Sequence, residues 1–454
     1  MNSGSTRGLG WFGIARLGLV QAALGAVVVL TTSTLNRVMV VELALPALLP
    51  GLLVALHYAV QATRPRMGFG SDVGGRRTPW IVGGVAVLAL GGLGAALATA
   101  MMATQREAGI ALAVLSYALV GLGVSAGGTS LLVLLAKRVD EPRRASAAAV
   151  VWVMMIAGFA VTASLAGRWL DPYTPQRLVG VCAAVSAFAL VLAMAAMWGL
   201  EGPALASAAA PAAATRPFRM ALAEVWADPQ ARLFTLFVFL SMLAYSTQDL
   251  ILEPYAGAVF GFTPGASTQL SGVQHGGTLA GMLLAALAGR RVAGHSLGST
   301  RAWTTGGCLA SALALFGLVA SGLTAPAWPL RANVFLMGVA NGAFSIAAIG
   351  SMMNLAGAGA GGREGVRMGL WGAAQALGFA LGGLFGAAAS DLARWLIGSL
   401  GPAYASVFFV EGLMFLASAA LALKIAPQPA AAASTPARSR PGSELHLAVP
   451  KGAP

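Results

Sequence analysis

Ionisable residues are scarce within the long apolar runs of this 454-residue chain, and those present fall into small groups. Asn36, Arg37 and Glu42 close one apolar run, and Gln248, Asp249 and Glu253 close another. A guanidinium facing carboxylates makes charge-assisted hydrogen bonds. The two groups could therefore line a cleft and pair across it, or each could end its own helix as an interfacial ion pair. Two histidines lie in comparable surroundings, His57 in Leu56-His57-Tyr58-Ala59-Val60-Gln61 and His275 in Gln274-His275-Gly276-Gly277. A neutral imidazole could serve as axial ligand to the magnesium of a chlorin, with His57 the first candidate. Either ring could equally bond a neighbouring carbonyl and pack. The glycines after His275 would admit a flat macrocycle, and they would also serve close helix packing.

A third group is basic and glycine-rich, running from Gly68 through Asp72, Gly75, Arg76 and Arg77 to Trp80. Glycine permits a tight turn, and Asp72 could accept from backbone N–H groups or from Arg76 and Arg77. Such a loop would latch helix ends or anchor to lipid headgroups. This pattern resembles the signature loop between the second and third helices of the major facilitator superfamily. A weaker second copy, Gly289-Arg290-Arg291 with Gly298 and Arg301, lacks the aspartate. Phosphate-cradling loops, nucleophile elbows and metal-binding helix motifs are missing from the sequence, so no enzyme is expected. The two cysteines, Cys182 and Cys308, sit inside apolar runs and predict neither a disulfide framework nor a metal site.

The elements that position these groups follow from composition. Hydrophobic residues make up 57% of the chain and charged residues 9%, against about 25% charged in soluble domains. That surface suits lipid, where only segments with internally satisfied backbones can span. The 59 glycines suit close helix packing. Runs long enough to cross a bilayer fall near 15–35, 43–62, 80–103, 109–136, 146–168 and 177–199. A second six fall near 231–252, 268–288, 302–322, 331–355, 367–389 and 403–425. The first run has no small-residue cleavage site and leads into further spans, so it reads as a span and not a cleavable leader.

The predicted organisation is a short N-terminus (1–14), a six-helix bundle (15–200), a linker (201–230), a second six-helix bundle (231–426) and a disordered tail (427–454). Ala/Pro/Ser composition marks both linker and tail. The net charge of +13 comes in small groups between apolar runs, which points to anionic headgroups and not to nucleic acid. Of the 28 Lys and Arg residues, six (Arg37, Arg106, Arg168, Arg177, Arg331, Arg394) fall on one side of a twelve-span topology and 22 on the other. That asymmetry predicts both termini in the cytoplasm.

The halves echo each other: Glu42 parallels Glu253, and Trp152 followed by Gly158-Phe159 parallels Trp371 followed by Gly378-Phe379. Two repeats of equal topology predict an all-α major facilitator fold, twelve transmembrane helices as 6+6 pseudo-symmetric halves.

Several stretches together resemble the PucC/LhaA family. They are Thr34–Leu43, His57-Tyr58 with Arg64-Pro65 and Ser71–Trp80, Leu131–Arg138, Gln248–Tyr255 and Gly365–Gln375. What the resemblance implies is an assembly factor for light-harvesting complexes in phototrophic bacteria that binds or delivers bacteriochlorophyll. Bacteriochlorophyll a and carotenoid would be its pigments. Its partners would be light-harvesting α/β polypeptides, the reaction centre–core antenna and bacteriochlorophyll synthase, in the intracytoplasmic inner membrane. Val73 stands where facilitators usually carry a basic residue, and the second loop is incomplete, which weighs against alternating access. Two other readings stand beside this one. The first is a proton-coupled secondary transporter of a small solute, using Asp249 or Glu253. The second is a scaffold whose lipid-facing grooves hold antenna helices.

Overall fold

A computed structural model of the chain describes residues 9–61, 76–140, 143–201, 226–288, 299–357 and 364–425. Twelve helical segments run through these residues, and no strand occurs among them. We label them α1 (Trp11–Glu42), α2 (Leu48–Val60), α3 (Thr78–Met101), α4 (Arg106–Arg138), α5 (Arg144–Leu170) and α6 (Pro175–Met197). The second set is α7 (Pro229–Phe260), α8 (Pro264–Ala288), α9 (Thr300–Thr324), α10 (Leu330–Gly357), α11 (Glu364–Ile397) and α12 (Leu400–Lys424). Ten of these are long and apolar enough to cross a bilayer. The other two are α2, with 13 residues, and α8, whose polar side chains include Gln269, Gln274 and His275. Helix α1 runs on to Glu42 and α7 to Phe260, past the ends near 35 and 252 that apolarity alone predicts.

Helix starts are written locally. Asp228 accepts from the backbone N–H groups of Gln230 and Ala231 at the start of α7, and Pro229 occupies a position that needs no donor. Thr174 before Pro175 does the same for α6, and Ser299 for α9.

The buried apolar side chains segregate by half. One core draws only on α7–α12, with Phe234, Tyr255, Phe344 and Phe415 at its centre. Two others draw on α1–α6, one of them reaching across to Leu250. Between halves, α5 packs on α8, α2 on α11, and the end of α1 on α7. Leucines, valines and phenylalanines cover the outside, and the indoles of Trp11 and Trp198 at one end and Trp169 and Trp395 at the other are exposed. An apolar belt bounded by tryptophan at both ends belongs in a bilayer. The chain is a multi-pass membrane protein, and the arrangement of 6+6 helices is the major facilitator fold.

Candidate functional site

The end of α1 is not a regular helix. Two wide turns, Leu30–Thr34 and Val38–Glu42, flank a short α-helical piece from Leu35 to Arg37. In the first, the N–H of Leu35 reaches the carbonyl of Leu30. The carbonyl of Thr31 is instead met by the Tyr117 hydroxyl of α4 at 2.7 Å. Wide turns of this kind rotate the helical register of the residues beyond them and are frequent at functional sites.

Here they accompany Asn36 and Arg37 on the α7 side. Asn36 donates Nδ2 to the carbonyl oxygen of Leu250 at 2.5 Å. Arg37, 2% exposed, donates to Glu42 at 2.5 Å and to the carbonyl of Phe262 at 2.6 Å. Glycine at 257 is what lets the guanidinium lie on α7, since a Cβ there would stand 2.9 Å from Arg37 Nη2. Tyr173, in the α5–α6 connection, feels the same pair: burial pushes its phenol up, Glu42 adds to the rise and Arg37 opposes it.

The sequence left two pairings open, Arg37 with Asp249 or Glu253 across the cleft, or an ion pair with Glu42 at the end of its own helix. The structure gives Arg37 to Glu42 and to a backbone carbonyl. Glu253 lies near Arg37, Ser267 and Thr268, yet neither of its carboxylate oxygens closes a hydrogen bond among the described residues. Asp249, one turn deeper, accepts from Gln274 Nε2 of α8 at 2.8 Å. Gln248 is fully buried, and neither amide atom finds a partner among the described residues. Hydroxyl contacts continue the seam between halves, Thr34 with Thr268 at 3.0 Å and Ser271 with Ser33 at 3.4 Å.

The two histidines differ. His275 on α8 has Nδ1 2.8 Å from the Ser271 carbonyl, and Phe159 of α5 stands edge-on to its ring at 5.0 Å. A carbonyl can only accept, so Nδ1 carries the proton and the neutral ring keeps its lone pair on Nε2. His57 on α2 has Nε2 3.0 Å from Gln61 Nε2, and its ring touches Tyr58, which stacks on Phe379 of α11. In that arrangement the lone pair of His57 Nε2 is used within its own helix. The structure thus brings Asn36, Arg37, Glu42 and Glu253 together, sets Asp249 and His275 next to them along α7 and α8, and leaves His57 apart on α2.

At the opposite end, Gly68, Asp72 and Gly75 lie outside the described residues. Arg76 is exposed and Arg77 buried. The carboxylate found there is one the motif did not announce. Glu201, just after α6, accepts from the backbone N–H of Arg77, and from the N–H and hydroxyl of Thr78 at 2.8 and 2.6 Å. Burial alone would raise its pKa. The Thr78 hydroxyl, the two N–H groups and the Arg77 charge outweigh that and hold it below the ordinary carboxylate value. Sequence reading also passed over Glu411. It lies midway along α12 at 0% exposure, in the field of Asp249, with both oxygens unpartnered among the described residues. Its signal was available, as the single acidic residue inside the last apolar run.

The family described as "PUCC protein" matches residues 34–429. A Rhodobacter capsulatus protein named "Bacteriochlorophyll synthase 44.5 kDa chain" is 52% identical over 416 residues, covering 91% of this chain and 95% of the relative. Another from that organism, "Protein PucC", is 31% identical, covering 91% and 92%. Among solved structures, a bacterial homolog of the human lysosomal transporter Spinster aligns with a TM-score of 0.68 at 15% identity, covering 92% of this chain and 98% of that one. The D-xylose-proton symporter aligns at 0.69 and 13% identity, covering 91% and 97%. At such identities the likeness concerns the fold.

Proposed function

The chain belongs to the PUCC protein family, and from that premise we propose that it is an assembly factor for bacterial light-harvesting complexes, binding bacteriochlorophyll within the membrane and delivering it to antenna polypeptides. A role tied to the photosynthetic apparatus is supported by the family and by the relative named as a bacteriochlorophyll synthase chain. The observation that carries the pigment reading is His275. Bound bacteriochlorophyll would bring a magnesium ion able to accept a neutral nitrogen ligand. A neutral imidazole fixed at Nδ1 by the Ser271 carbonyl offers such a ligand at Nε2.

His275 would hold the magnesium, and His57 would do so only if Gln61 gave way. Asn36, Arg37, Glu42, Gln248, Asp249 and Glu253 then form the polar wall of the site. Carotenoid is the second pigment class this reading admits. Partners are the α/β antenna polypeptides, the reaction centre–core antenna and the bacteriochlorophyll synthase, and the chain itself performs no catalytic step. The 22-to-6 division of basic residues supports a bacterial inner membrane with both termini cytoplasmic, and the Arg76–Arg77 end on that face.

The test is an absorption spectrum of protein purified from phototrophically grown cells. Bacteriochlorophyll bands are expected, and they should weaken in His275→Ala more than in His57→Ala. Pigment-free protein, together with intact antenna after deletion, overturns the reading. One observation favours a second reading, a proton-coupled transporter. Asp249, Glu253 and Glu411 are intramembrane carboxylates in a transporter fold. Solute-dependent proton flux in proteoliposomes, abolished by Asp249→Asn, would decide for it.

A further inference from the structure

Two aspartates do the same thing at the Glu42 end of the molecule, in two of the crossings that join the halves, α5 with α8 and α2 with α11. Asp391 on α11 accepts from the backbone N–H of Ala47 at 3.0 Å and of Leu48 at 2.8 Å, at the start of α2. Asp171, just past α5, accepts from the Thr263 hydroxyl at 2.7 Å and from the N–H of Gly265 at 3.2 Å, at the start of α8. In each case a carboxylate from one half caps a helix of the other. Helix α2 has no side-chain cap of its own. Free N–H groups and the positive end of the helix dipole favour a carboxylate at such a place.

The two contacts are copies. The differences 391 − 171 and 387 − 167 are both 220, and Ala387 and Gly167 sit one turn before their aspartates. Gly167 meets Gly265 of α8, and Ala387 meets Gly51 of α2. A Cβ on Gly265 would stand 2.5 Å from the Asp171 carboxyl carbon, so glycine there is what admits the cap. Closure at this end is continued by Asn36 to Leu250 and Arg37 to Phe262 between α1 and α7.

We propose that Asp171 and Asp391 are twofold-related latches that hold the Glu42 end of the cleft shut, and that both must release their helix N-termini for that end to open. Each latch lies on a polar end of the bundle, where water can take over the freed N–H groups, so release requires no rearrangement of the apolar cores. Arg394 also binds Asp391, from its own helix, and keeps the carboxylate oriented when the cap is broken. The inference concerns opening alone and stands whether the cleft holds pigment, solute or lipid.

The test is a pair of spin labels across that end, at Gln105→Cys and Ala327→Cys, with Cys182 and Cys308 replaced by alanine in the full chain. The distance distribution is expected to be single and short with both aspartates present, to gain a longer component in Asp171→Ala or Asp391→Ala, and to shift outward by ~5 Å or more in the double variant. Asp228→Ala removes a cap internal to α7 at the other end and should leave the distribution unmoved. Monodisperse elution and unchanged helical circular dichroism show that a variant is folded. Should the alanine pair not fold, the pair of valine variants, which fills the space and offers no acceptor to the helix N–H groups, is read in the same way. An unmoved distribution in the folded double variant overturns the proposal.

Discussion

Asn36 and Pro254 complement each other. Proline has no N–H, so Pro254 inside α7 cannot return a hydrogen bond to the carbonyl of Leu250 four residues earlier. In lipid that carbonyl needs another donor, and Asn36 Nδ2 of α1 supplies it at 2.5 Å. A gap in one helix of the second half is thereby filled by a side chain from the first.

This relationship predicts coupling between the two positions. Asn36→Ala should lower stability by roughly 1–3 kcal/mol, the usual consequence of stranding a buried polar group. In a Pro254→Ala background α7 regains its own bond, and the same asparagine substitution should then matter much less. A double-mutant cycle on thermal unfolding in detergent measures the difference. Equal losses in both backgrounds would show that Asn36 acts in some other way.

Glu201 predicts a pH dependence. Its folded pKa lies below the ordinary carboxylate value. Its stabilising contribution is therefore fully present above that ordinary value and is lost as pH falls through the lowered folded one. The melting temperature of the purified protein should drop on acidification through this window, and Glu201→Gln should flatten that part of the profile. Thr78→Val, which removes the 2.6 Å hydroxyl bond, should move the drop to higher pH.

Gly257 predicts a steric effect confined to the Arg37 site. An alanine Cβ would press on the guanidinium at 2.9–3.1 Å, and overpacking of this kind costs about 1–3 kcal/mol. Gly257→Ala should thus destabilise the protein. Combining it with Arg37→Lys, whose slimmer head leaves room, should recover part of the loss. If the lysine combination is no more stable than the alanine variant alone, the guanidinium is not what glycine accommodates.

The fold was legible because lipid imposes a coarse rule: twelve apolar runs, two loop chemistries and an internal repeat are long-range averages that no single residue can spoil. Of the candidate site, the sequence shows which polar side chains lie inside the apolar runs and not how they pair. Composition marks Arg37 and Asp249 as intramembrane polar groups, but the partners of Arg37 depend on where the wide turns of α1 rotate the chain, and that of Asp249 on how α7 lies against α8. Those turns have no proline or glycine to announce them. Nothing in their own sequence neighbourhoods marks Asp171 or Asp391, because what they cap belongs to the other half. Glu201 read as the first residue of a linker for the same reason. Proline 254 carried a usable signal: a proline deep in an apolar run demands a donor, and Asn36 was among the few available.

Glu411 separates stability from function most sharply. A carboxyl at the middle of α12, fully buried and unpartnered among the described residues, gives the fold nothing that an apolar side chain would not give better. Retaining such a group in a membrane interior is expected only where it acts. Glu411→Leu should therefore keep or raise the melting temperature while lowering whatever the interior site does, read as pigment retained on the purified protein or antenna level in the cell. The neighbouring Asp249 makes the comparison internal. It is tied to Gln274 at 2.8 Å, so Asp249→Leu strands that amide and should reduce stability and function together. A Glu411→Leu protein that melts earlier, with pigment and antenna unchanged, would assign the residue to structure alone.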